Sequence, residues 1–188
     1  MYNRQLLRAL TVSVLCFTVA VAMGVVVVLQ DPTVGEQLIE TIGREIVSQI
    51  MDDSPWIVAG KIFINNIQVS LILFAGGATF GVLTCVLLVS NGLVVGGVIE
   101  LVRQQHGLLY AAAAILPHGI FELPAILTAG ALGIRLGELL WRELQGSGDA
   151  AAGAIVLARI FCTVIIPVLA VAACVEAFIT PEIIKLVI

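Results

Sequence analysis

Charge is scarce in this chain. Only 12% of its 188 residues are Asp, Glu, Lys or Arg, about half the usage of soluble domains. The charges that exist come in islands, leaving uncharged runs at 9 to 30, 62 to 99, 104 to 121 and 160 to 175. A spanning helix requires roughly 20 predominantly apolar residues, so these runs, with 60% hydrophobic content and a mean hydropathy of +1.13, specify several membrane crossings rather than a soluble domain. Basic stripes and aromatic-interleaved basic patches are missing, which excludes a nucleic-acid partner. Cysteine is limited to Cys16, Cys85, Cys162 and Cys174, all within apolar runs and without a CxxC pair, so they read as small buried hydrophobes rather than a disulfide or metal framework. HExxH, GxSxG and phosphate-cradling loops are absent too, and no cofactor is called for.

What is present organises into one all-α membrane domain over residues 1–188, a polytopic bundle of about five membrane units with the lipid bilayer as its first partner. Residues 6 to 29, within an N-terminal segment 1–30, predict a retained first span, because the apolar run continues through Val25–Leu29, beyond the roughly 7 to 15 residues of a signal h-region. Asp31-Pro32 then suits a helix start. Within 31–56, an apolar stripe through Val34, Leu38, Ile42, Ile46 and Ile50 opposes Glu36, Glu40, Arg44 and Glu45, predicting an amphipathic surface helix over 34 to 51. Trp56 reads as an interfacial anchor. A helix over 62 to 89 is expected to turn at Asn91-Gly92 and resume from 92 to 102. The piece 108 to 116 is too short to span alone, so 92–116 forms either a re-entrant hairpin or one span with a polar middle. Helices over 118 to 140 and 151 to 178 follow, then a capped tail at 180–188. Lys and Arg are shared almost evenly between the two sides; Arg4 and Arg8 favour a cytoplasmic N-terminus in a cytoplasmic membrane.

Eighteen glycines include pairs four apart at Gly77/Gly81, Gly92/Gly96 and Gly133/Gly137. Such small faces let helix backbones approach in lipid, where apolar side chains gain nothing by leaving water. Spacing does not distinguish contacts within one chain from those of a homo-oligomer.

The most polar apolar-run motif is PHGIFELPA, residues 117–125. His118 and Glu122, four apart, share one helix face; Pro117 suits a first turn, and Pro124 withholds the donor that the Ile120 carbonyl would use. Three readings stay open. The pair is a structural clamp, bonding internally or to Asn65, Asn66 or Asn91; or it lines a path for a proton, ion or polar solute; or it binds metal for chemistry, with His118 and Glu122 as two ligands and His106, Glu100 or Glu176 needed to complete the site.

Asn65-Asn66, Asn91-Gly92, the PHGIFELPA block, Gly130 and Gly133-Ile134-Arg135-Leu136-Gly137 together resemble the stage II sporulation protein M family over residues 60–178. The resemblance implies a multi-pass membrane protein. In spore formers the family's namesake is a scaffold for cell-wall-degrading enzymes at the engulfing septum, and the family extends to archaea that never sporulate. The expectation is therefore a non-enzymatic membrane scaffold or assembly factor with a membrane or cell-envelope protein partner, and a transporter or channel centred on His118/Glu122 as the alternative.

Overall fold

A computed structural model describes residues 2–35 and 53–187. The described residues are helical, without a strand, and contain five helices long and apolar enough to cross a membrane. These are α1 (Tyr2–Gln30), α2 (Pro55–Ala75), α3 (Val82–His106), α4 (Leu108–Leu144) and α5 (Ala150–Lys185). Residues 32–35 are helical after Asp31, whose carboxylate accepts from the Thr33 amide at 3.1 Å. The rest of the expected amphipathic helix, 36 to 51, lies outside the described residues.

Two expectations about the middle of the chain are corrected. Asn91-Gly92 is not a turn: the Asn91 amide donates to the Leu87 carbonyl of its own helix at 2.9 Å, and Gly92 lies where α3 crosses α1. The reversal falls earlier, in a 3-10 turn at Gly76–Thr79, and ends with Phe80 and Gly81 in the left-handed region at φ 57° and 84°. Thr79 closes it, its hydroxyl donating to the Gly76 carbonyl and accepting from the Leu83 amide. Nor is 92–116 re-entrant or one broken span. Gly107, at φ 88°, separates two complete helices, so 108 to 116 is the start of the 37-residue α4 and Pro117 sits inside it rather than in a first turn.

The irregular unit is α5. It widens into π-turns at Phe161–Ile165 and Val175–Ile179, and each is followed two residues later by a proline, Pro167 and Pro181. A proline lacks the amide for the carbonyl four residues back and clashes with it, so the preceding turn relaxes to wider bonding, from Ile166 N–H to Phe161 O and from Thr180 N–H to Val175 O. The expected C-terminal tail is the helical end of α5 through Lys185.

Helix α4 is the hub and touches all four others. The α1/α3 pair packs on one flank and the α2/α5 pair on the other. Leu73, Leu88, Ile126, Leu132, Leu157 and Leu169 fill the contacts around α4. Two of the expected glycine faces, Gly92/Gly96 and Gly133/Gly137, pack closely inside the chain. Gly77/Gly81, in contrast, is not a helix face: both lie in the reversal between α2 and α3, and a Cβ at Gly81 would meet Ile134 only at 3.6 Å, although Gly77 itself packs closely. A Cβ at Gly96 would lie 2.1 Å from the Val21 carbonyl oxygen, one at Gly77 2.3 Å from the Gly133 carbonyl oxygen, and one at Gly137 2.4 Å from the Phe80 carbonyl carbon. Gly92 likewise meets Phe17 and Ala20, and Gly133 meets Leu73 and Thr84. Two buried hydroxyls reinforce these crossings, Thr84 donating to the Leu73 carbonyl and Ser13 to that of Leu127, both at 2.8 Å.

Aromatic pairs mark the two ends of the bundle, Trp56 with Phe178 (centroids 4.7 Å apart) and Phe80 with Trp141 (6.0 Å). Such rings favour the headgroup level. Gln5 bonds Arg135, so α1 begins at the Trp141 end.

Candidate functional site

The polar residues singled out in the sequence separate into distinct places. Arg135, 3% exposed, lies toward the Trp141 end, donating to Glu138 at 2.5 Å and to Gln5. Asn91 is occupied within α3. Glu100, 4% exposed, accepts two bonds from Arg103 and one from Gln104 near the opposite end. Asn65 faces outward. Each of these is exposed or bonded to neighbours at its own end of the bundle, although the buried Arg135 Nε lacks a partner among the described residues, and none gathers further functional groups.

The opening of α4 is different. His118 and Glu122 project from one face, one turn apart, toward α2 and α5. Glu176 enters from the second π-turn of α5, and one ligand atom each from His118, Glu122 and Glu176 lies within 4.8 Å of the other two. Glu176 extends the buried stripe of α5 formed by Phe161, Ile165, Leu169, Ala172 and Ala173, occupying a position where an apolar side chain is the rule. From α2, Asn66 completes the group: it is 6% exposed and its amide lies beside the Glu122 carboxylate. Along α2 it follows Trp56 by ten residues, about 15 Å, which is about half the thickness of a hydrocarbon core.

The four side chains satisfy one another only in part: the Asn66 amide approaches the Glu122 carboxylate, as the clamp reading through Asn66 expects. His118 and Glu122 form neither a hydrogen bond nor an ion pair, so the mutual-clamp version of the sequence reading is not what the helix presents. Buried His118 Nδ1 has no hydrogen-bond partner among the described residues, Asn66 Nδ2 has none apart from its approach to Glu122, and neither Glu122 nor Glu176 is paired with a Lys or Arg there. Unpaired carboxylates are expensive inside a bilayer. Pro124 adds a freed carbonyl at Ile120, and Pro117 another at Ala113, on the same stretch of backbone. His106, one of the ligands weighed from sequence, instead packs against Tyr110 near the Trp56 end, with ring centroids 4.6 Å apart and planes tilted by 34°.

Glu176 was visible in the sequence as a third ligand candidate, but nothing in its spacing tied it to α4. A usable signal existed in the helical stripe running through 161, 165, 169 and 172, which places residue 176 inward, and in Pro181, which sets the π-turn that carries it.

Five apolar spans with an ionisable cluster between them define a multi-pass membrane protein with an intramembrane polar centre. The chain belongs to the Stage II sporulation protein M family, which it matches over residues 13–181, extending the resemblance seen at 60–178 through most of α1. It is similar to an uncharacterized protein of Methanocaldococcus jannaschii, 39% identical over 79 residues, which is 40% of this chain and 43% of that protein. The match therefore spans less than half the length of this curated relative. No solved structure matches the chain.

Proposed function

We propose that the protein is a membrane assembly factor: a rigid five-span platform in the cytoplasmic membrane that holds a membrane or cell-envelope partner, and in spore-forming hosts serves septal cell-wall remodelling. The observation that carries this reading is the backbone-to-backbone glycine packing. With would-be Cβ atoms 2.1 to 2.7 Å from facing atoms at Gly96, Gly24, Gly77, Gly137 and Gly92, α1, α3 and the Trp141 end of α2 and α4 have no room to slide. Alternating access requires one group of helices to rock against another, whereas a platform benefits from having none that do. Arg4, Arg8 and Arg142 at the Trp141 end support a cytoplasmic placement of that end.

A second reading, ion or proton movement, is favoured by the His118/Glu122/Glu176 group alone. One experiment separates the two. In proteoliposomes the platform reading expects proton, sodium and potassium flux at the background of empty vesicles. In native membranes it expects a cross-linked partner whose recovery falls when Gly96→Leu disrupts the α1/α3 contact or Ile42→Asp interrupts the sequence stripe over 34–51. Flux above background that Glu122→Gln stops, with the fold intact, contradicts it.

A further inference from the structure

From the cluster described above we infer that the chain binds one divalent first-row transition-metal ion inside the membrane, held by His118, Glu122 and Glu176, with Asn66 supplying the fourth position. The inference is independent of the assembly reading.

The donor set argues for it first. An imidazole nitrogen, two carboxylates and an amide oxygen offer four ligands from three helices, and their charge, with neutral imidazole, is that of two carboxylates. A divalent cation neutralises it. Without a cation the two carboxylates face each other in an apolar bundle with no Lys or Arg partner among the described residues. The imidazole points away from magnesium and calcium, which prefer all-oxygen shells, and toward ions such as zinc or iron.

Geometry agrees. In a tetrahedral site with bonds of about 2.0 to 2.1 Å, ligand atoms lie about 3.3 Å apart. The three ligand atoms are within 4.8 Å of one another, so rotamer adjustment of up to about 1.5 Å closes the shell without moving a helix.

The independent observation is Asn66. It is almost fully buried and lies beside Glu122, and its buried Nδ2 has no partner among the described residues apart from its approach to that carboxylate. Buried amides are normally satisfied. Turned so that its oxygen faces the cluster, Asn66 becomes a ligand; oxygen and nitrogen of such an amide are interchangeable by rotation.

The surroundings explain why a metal would be placed here. Glycines on this half of the bundle make no close helix contacts: a Cβ at Gly60 would meet nothing within 4 Å, and one at Gly119 only side chains of its own helix at 3.8 and 3.9 Å. A shared ion would join α4, α5 and α2 where close backbone packing does not.

The test uses the full chain, purified with a histidine-free tag in detergent or nanodiscs, stripped with a chelator and titrated with Co²⁺ alone and then Zn²⁺ alone. The expected result is one Co²⁺ per chain, with the visible absorption of a low-coordinate site, displaced by Zn²⁺. His118→Ala and Glu176→Gln should each weaken the Kd by about 100-fold or more, Asn66→Ala by about 10-fold, and Glu138→Gln, a carboxylate outside the cluster, should leave it unchanged. Should a ligand variant fail to fold, the wild-type titration decides alone. A folded wild-type chain with no saturable Co²⁺ spectrum overturns the inference, as does equal weakening by Glu138→Gln or retained affinity in folded Glu176→Gln.

Discussion

At the α1/α3 crossing, would-be Cβ atoms of Gly24, Gly92 and Gly96 fall 2.1 to 2.7 Å from atoms of the facing helix; toward the Trp56 end Gly60 lies exposed on the outer face of α2, and between α2, α4 and α5 four polar side chains converge instead. Both regions solve the same problem. Lipid tails are as apolar as leucine, so helices in a bilayer are not driven together by escaping water. They must either approach until backbone atoms are in dispersion contact or place groups between them that lipid cannot satisfy. The first region uses the former means and the second the latter, and the consequences differ. Backbone contact is permanent and insensitive to solution conditions, whereas a polar junction responds to whatever ion or proton it holds.

Substitutions that break this contrast should rank accordingly. The largest effect is expected at Gly96→Leu, which drives a side chain into the Val21 carbonyl; unfolding followed in mixed micelles should show a loss of more than about 3 kcal/mol, or no folded protein. Next comes Arg135→Ala, which removes a 3%-exposed guanidinium from Glu138 and Gln5; about 2 kcal/mol should be lost in the same assay, less than for a fully buried pair because Glu138 is 41% exposed and can rehydrate. Thr84→Val removes the donor to the Leu73 carbonyl beside Gly76 and Gly133, and about 1 kcal/mol is expected. Smallest is Gly60→Ala, where nothing obstructs the methyl group and the helix gains propensity. The expected change is at most about 1 kcal/mol, in the stabilising direction, and a marked destabilisation would show that α2 is more tightly enclosed than the contrast allows.

Much of this was legible in the sequence because lipid imposes coarse rules. Uncharged runs announced the spans, and glycine spacing announced the close faces at Gly92/Gly96 and Gly133/Gly137 but not at Gly77/Gly81, which lies in the reversal. His118 and Glu122 shared a face because four residues separate them along α4. The reversal at Gly76–Gly81 was missed since it contains no charge and hides its polar bonding in Thr79, while Asn91-Gly92 resembled a turn yet serves a helix crossing. Glu176 and Asn66 joined the pair only through tertiary packing. No spacing along one chain states which face of α2 or α5 will meet α4, although the prolines that widen α5 were in plain view.

The most direct measurement is hydrogen–deuterium exchange on the folded wild-type chain before and after chelation, followed by peptide. The account predicts faster exchange in residues 166–185 of α5 after chelation, with 13–30 of α1 and 82–101 of α3 unchanged, and restoration of the original pattern by Zn²⁺. Unaltered protection in 166–185, or equal loosening of both regions, would contradict the division between a glycine-packed half and an ion-held half.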